Sequence, residues 1–128
     1  MTAAGATIAA SSLLDACEAL DEHWSPKVVG RVNDSYVKVA KLLGDFVWHR
    51  HEHEDELFLV LRGTLEIRYA DRSVTLRAGD FAVVPRGVLH QPVAREECCI
   101  ALIEPIATRH TGDTVTPMTR TIAQQLHQ

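Results

Sequence analysis

The sequence predicts an all-β fold, a barrel or sandwich of short strands, on three observations. From Lys27 to Pro105, runs rich in Val, Ile, Leu, Tyr and Phe recur at intervals of about eight to twelve residues. Each run is bounded by turn residues such as Asn33-Asp34, Gly63, Asp71-Arg72 and Gly79-Asp80. Several runs, LFLVL and CCIALI among them, are apolar on both faces. A barrel wall with a filled interior and a covered exterior explains that pattern; a sheet with one wet face does not.

Taken in order, residues 1–10 are small and weakly apolar and are expected to fray. Ser11 or Ser12 can cap a short helix. Leu13, Leu14, Cys17, Leu20 and Trp24 recur at three- and four-residue spacing as its apolar face, and Pro26 marks its end. KVVGRV and SYVKVAKLL then read as strands joined at Asn33-Asp34. Gly44-Asp45 reads as a turn before the strand FVWHRH. ELFLVL, TLEIRYA, SVTLR, FAVVP, HQPVA and CCIALIEP follow as strands. After Pro105 the chain is polar and Thr-rich, an irregular tail with a short terminal helix. The organisation is therefore 1–26 N-terminal tail and helix, 27–106 barrel, and 107–128 C-terminal tail.

The 128 residues fit one domain with a real core. A net charge of −4, with no run of Lys or Arg, gives no reason to expect nucleic acid or an anionic membrane as partner. No stretch approaches the ~20 apolar residues of a membrane span. MTAAGATIAA lacks the basic start and long apolar run of a signal peptide. Cys17, Cys98 and Cys99 do not make a disulfide framework; adjacent Cys98 and Cys99 point to opposite faces of a strand and read as small apolar fillers. A cytoplasmic location is expected.

Seven His are many for this length, and three fall in WHRHEHEDELF. His49 and His51, two apart, face the same side of a strand and can bind one metal together. Glu56 opens the next strand and can reach the same point. His90, opening a later strand after the turn Pro85-Arg86-Gly87, is the candidate for a fourth ligand. His23, His110 and His127 have no partner spacing and read as surface residues.

These residues resemble the two motifs of the cupin family. The first is G-x5-H-x-H-x3,4-E-x6-G. Here Gly44 is followed, four residues on, by His49-x-His51, then Glu56, then Gly63. The second is G-x5-P-x-G-x2-H-x3-N, matched by Gly79, Pro85-x-Gly87 and His90, with Ala94 in place of the Asn. Neither the shortened first gap nor Ala94 touches a ligand position. The resemblance implies a double-stranded β-helix (jelly-roll) cupin barrel with a short N-terminal helix. It also implies one divalent metal held by His49, His51, Glu56 and His90. His53 makes a second H-x-H pair with His51, but the Glu at family spacing would then fall on Leu57 or Phe58. His53 reads as a solvated loop residue that could lie beside the metal or substrate.

Three imidazoles and a carboxylate suit Fe, Mn, Co, Ni, Cu or Zn rather than Ca or Mg. With His49, His51 and Glu56 inward, alternation makes Val47, Phe58 and Val60 cavity-lining and turns Phe46, Trp48 and Arg50 outward. The outward aromatics, with Leu57 and Leu59, would form an apolar patch, from which a two-fold homodimer is expected. The function this implies is a metal-dependent enzyme acting on a small molecule, of oxygenase, isomerase or lyase type. A non-catalytic sensor or ligand-binding module is the alternative. A sugar-phosphate isomerase relative ranks below both, since the motif strands show no inward Lys or Arg cluster. No catalytic residue beyond the ligands is named by the sequence.

Overall fold

Seven strands form where the β-rich runs lie: β1 (Lys27–Val32), β2 (Ser35–Asp45), β3 (Glu56–Arg62), β4 (Thr64–Arg68), β5 (Ser73–Arg77), β6 (Phe81–Val84) and β7 (Gln91–Pro105). The computed structural model describes residues 8–127, so the expected fraying of residues 1–7 lies outside the described residues. Every strand pairing is antiparallel, in the order β1-β2-β7-β3-β6, with β4 and β5 joined to β7 through β4. β7 is the hub. One edge pairs with β2 along most of its length; on the other edge its start pairs with β4 and its later part with β3. One long strand paired along both edges carries the seven-stranded sheet round on itself as a jelly roll.

Three expectations need correction here. HQPVA and CCIALIEP are not separate strands but lie along one continuous β7, through Arg95–Glu97, whose side chains reach solvent. A register slip between Leu42 and Gly44 of β2 lets this long strand bend from one partner to the next. Gly44-Asp45 is accordingly the end of β2, paired with Ala94 and Val93, and not a turn. FVWHRH is not a regular strand. The Phe46 N–H reaches the Pro92 carbonyl at 3.0 Å, but Pro92 has no N–H to answer, and pairing resumes only at His49.

Helix α1 (Leu13–Glu18) is capped by Ser12, whose hydroxyl accepts the Asp15 N–H at 3.1 Å. It ends well short of Trp24, which has φ 55°. Tertiary contacts override helical spacing: the Trp24 indole donates to the Leu43 carbonyl at 2.7 Å and its amide to Lys41 at 2.9 Å. At Gly63, with φ +89°, a Cβ would sit 3.0 Å from the Glu97 carbonyl, so this turn needs glycine.

Strand alternation splits the core. Ala40, Leu42, Phe58, Val60, Leu65, Ile67, Cys98 and Ile100 fill the barrel. Val39 and Cys99 face the other way and are covered by Cys17 and Leu20 from the α1 segment. This is why CCIALI is apolar on both faces, and why Cys98 and Cys99 never meet. Burial pushes the Cys98 thiol up to about 12, and all three thiols are free. The chain after β7 folds back against the barrel. Thr108 and Thr111 are fully buried, and α2 (Ile122–Leu126), closed by a Thr121–Gln124 capping box, buries Gln125.

Candidate metal centre

Two loops build the site by holding each other. His49 and His90 exchange both backbone hydrogen bonds, at 3.0 and 2.9 Å, which sets their side chains together. The turn at Pro85–Gly87 hooks onto the acidic loop: the Gly87 amide donates to the His51 carbonyl at 2.7 Å, and the Arg86 amide to Asp55 Oδ1 at 2.9 Å. Asp55 therefore fixes the loop, and the bonds from Arg86 hold its carboxyl below the usual range. Glu56 follows as the first residue of β3, facing inward.

One donor atom from each of His49, His51, Glu56 and His90 lies within 4.8 Å of the others, and all four residues are buried. His49 Nδ1 donates to the Val47 carbonyl and His90 Nδ1 to the Val88 carbonyl, both at 2.9 Å. Fixing the proton on Nδ1 leaves each Nε2 with its lone pair aimed at the cluster. Among the described residues, His90 Nε2 and both nitrogens of His51 have no hydrogen-bond partner. Glu56 Oε1 stands 3.6 Å from His51 Nε2 and from His90 Nε2, too long for a hydrogen bond. Orphaned buried nitrogens cost about 1–3 kcal/mol each. A cation among them would take up His90 Nε2 and one nitrogen of His51 together with Glu56, so the donor set fits a divalent transition metal.

The protonation states of His49 and Glu56 suit this. Burial, helped by His90, lowers His49 to about 4, leaving a neutral ligand at pH 7. Burial would raise Glu56, but the facing Glu104, His51 and His90 hold its carboxyl well below the ordinary range. Burial works against His51⁺ too, yet the Glu56 carboxylate outweighs it and raises His51.

Behind Glu56 lies a polar group that the sequence did not reveal. Lys38, 1% exposed, puts Nζ 2.7 Å from Glu104 Oε1 and also donates to Gln125 Oε1. Burial and the nearby Glu56 charge push Glu104 well up, against the pull of Lys38. Among the described residues, Glu104 Oε2 has no hydrogen-bond partner. The signal was Lys38 within an otherwise apolar alternation, but nothing in the sequence paired it with Glu104.

A cavity of about 30 Å³ adjoins the cluster, with Trp24, Phe46, Phe58, Leu102, Glu104 and His110 among its walls. Phe58 is thus at the cavity. Val60 is packed in the core and Val47 is half-buried against it. Phe46 does not point outward: it is buried, stacked on Trp24 at 4.6 Å between ring centroids, because the irregular backbone after β2 breaks the alternation. Trp48 and Arg50 do face solvent. His53 is exposed on a surface groove of about 330 Å³ shared with Arg109 and Asp113. His110 is not a surface residue. The returning chain carries it to the cavity, against Phe46 at 4.9 Å, and burial lowers it to about 3. That return is tight: at Gly112, φ +60°, a Cβ would lie 1.9 Å from the Arg50 carbonyl oxygen.

Residues 37–103 match the family described as Cupin domain. A cupin-2 domain containing protein from Shewanella frigidimarina is 45% identical, with TM-score 0.72 over 74% of this chain and 93% of that one. A Neisseria meningitidis protein is 34% identical, with TM-score 0.69 over 76% and 99%. YdbB of Bacillus subtilis is 39% identical over 64 residues, 49% of this chain, and the match spans 57% of that protein's length.

Proposed function

This chain belongs to the cupin family, and from that premise we propose that it holds one divalent transition metal through His49, His51, Glu56 and His90. We propose that the protein uses this centre on a small molecule, in chemistry of oxygenase, isomerase or lyase type. The observation that carries the reading is the set of unpartnered, buried imidazole nitrogens converging with Glu56 beside a small, mostly apolar cavity. Fe, Mn, Co, Ni, Cu and Zn are all compatible with the donor set. Such an ion, when bound, supplies Lewis acidity and open coordination positions. The chain's own part is to keep His49 neutral and Glu56 ionised, to orient His49 and His90 through Val47 and Val88, and to exclude water with Trp24, Phe46, Phe58 and Leu102.

A second reading, a non-catalytic sensor or ligand-binding module, draws on the narrowness of the cavity, where about 30 Å³ admits only a few atoms. A sugar-phosphate isomerase role ranks below both. Among the described residues no Lys or Arg lines the cavity, and the inward Lys38 is already engaged by Glu104 and Gln125.

The proposal includes a cytoplasmic location and a two-fold homodimer. No helix among the described residues is long and apolar enough to cross a membrane. The outer face of β3 and β6 presents Phe81, 64% exposed, with Val83, Leu57 and Leu59, and among the described residues β6 pairs only with β3. Phe46 has no share in that patch. Light scattering giving the mass of one 14.2 kDa chain would reject the dimer.

The functional test loads the metal-free protein with each of the six ions in turn. It then screens small phenols, thiols, diketones and hydroxy acids for a change in the metal's spectrum or relaxivity, and for turnover. Turnover of any compound, abolished in Glu56→Ala, supports the enzyme. Spectral perturbation without turnover moves the binding module ahead.

A further inference from the structure

The cavity has one polar wall outside the metal ligands that the returning chain supplies. His110 sits there, packed on Phe46, with the Glu56 carboxylate close by. Its Nδ1 lies 2.9 Å from the backbone nitrogen of Arg120. A backbone N–H can only donate, so Nδ1 must accept and cannot carry a proton. The neutral ring then has its proton on Nε2, across the ring from the Arg120 amide. This is the reverse of His49 and His90, whose Nδ1–H groups donate to carbonyls and whose Nε2 atoms are bare. Three imidazoles of like appearance are thus sorted by main-chain contacts alone: two offer lone pairs, and one offers a donor.

Resting on the metal-centre reading above, we infer that His110 is a positioning residue, its Nε2–H donating a fixed hydrogen bond to a small ligand that presents an anionic or carbonyl oxygen, or an equivalent acceptor, in the cavity beside His49 and Glu56. The remaining walls are mostly apolar: Trp24, Phe46, Phe58 and Leu102 cannot hydrogen-bond into the cavity, apart from the indole N–H, which is spent on Leu43. Glu104, the other polar wall, already has its Oε1 engaged by Lys38. A ligand's acceptor atom is therefore steered to the His110 side. The space of about 30 Å³ limits the buried part to roughly two or three atoms. The anchoring is rigid, because Gly112, two residues on, lies directly against the Arg50 carbonyl, so the donor cannot drift from the centre.

Azide, a three-atom anion with terminal acceptors, is the probe. Co(II) uptake by wild-type protein is measured first. Absence of uptake overturns the metal-centre reading and the inference with it, before any azide is added. Azide is then titrated into Co(II)-loaded wild type, His110→Phe and His110→Gln, followed by visible absorption. His110→Phe keeps a ring against Phe46 and removes the donor; His110→Gln restores an N–H. The expected result is unchanged Co(II) affinity, azide binding about tenfold weaker in His110→Phe, and partial recovery in His110→Gln. Azide affinity within twofold of wild type in His110→Phe overturns the inference while leaving the metal centre intact. A second measurement needs neither metal nor variant. Nitrogen-15 NMR of the histidine rings in metal-free protein should show His110 with Nε2 protonated and Nδ1 bare; the opposite tautomer overturns the inference.

Discussion

Replacing Lys38 with Met removes a buried charge while keeping most of the side chain's length and apolar stem. In the wild type Lys38 Nζ bonds Glu104 Oε1 at 2.7 Å and Gln125 Oε1, and all three residues are buried. Breaking a buried ion pair by deleting one partner costs about 3–5 kcal/mol when the other stays charged. Glu104 has an escape, since burial and Glu56 already push its carboxyl up. It can take a proton, and the loss then falls toward the ~1–3 kcal/mol of an unsatisfied buried polar group. Gln125 loses its donor as well, for about 1 kcal/mol more. The expected loss is about 2–4 kcal/mol, or roughly 10 °C in midpoint for a domain of this size. The assay is urea unfolding at pH 7 of metal-free wild type, Lys38→Met, Glu104→Gln and the double variant. Because the two side chains share one contact, the double variant should lose at least about 1 kcal/mol less than the sum of the singles. A loss under about 1 kcal/mol for Lys38→Met, or simple additivity, would refute the reasoning.

Gly112→Ala should lower the midpoint by the equivalent of at least about 2 kcal/mol, because the left-handed φ alone costs about 1–2 kcal/mol and the added Cβ drives the chain off Arg50. Trypsin should then cut at Arg109 or Arg120 sooner than in wild type, and an unchanged midpoint and cleavage rate would contradict the docking described. The metal-free protein should lose stability on acidification. His49, about 4 when folded against about 6.5 unfolded, binds protons more readily unfolded, so its contribution is complete above pH 6.5 and declines as pH falls toward 4. By pH 5 that is about 2 kcal/mol, His110 adds a similar amount, and the raised His51 offsets part of it. Flat stability from pH 7 to 5 would count against these environments. Chelation of metal-loaded protein should lower the midpoint yet leave one cooperative transition, since the barrel has its own core; loss of cooperativity would make the ion a structural staple.

The β-rich runs and their turns were legible because alternation and turn chemistry are local, and the four converging residues were legible because two spaced motifs name them together. What was hidden depends on contacts across the chain. Pro92 breaks the ladder opposite Phe46, so counting faces outward from His49 put Phe46 on the wrong side. α1 stops at Glu18 because Trp24 finds the Leu43 carbonyl on β2, which helical spacing cannot register. His110 lies twenty residues past His90 in a Thr-rich stretch with no period. Its place at the cavity follows from Gly112 seating on Arg50 and Arg120 bonding its ring. Lys38 and Glu104 sit on neighbouring strands whose register no motif records.

The claim that His49, His51, Glu56 and His90 form one metal centre is tested most directly by metal content after dialysis against Zn(II) and then metal-free buffer, in wild type and His90→Ala side by side. One ion per chain in the wild type, and loss of stoichiometric binding in the folded variant, is the outcome the orphaned His90 Nε2 demands. Less than half an ion per wild-type chain, or a full ion retained by His90→Ala, would contradict it.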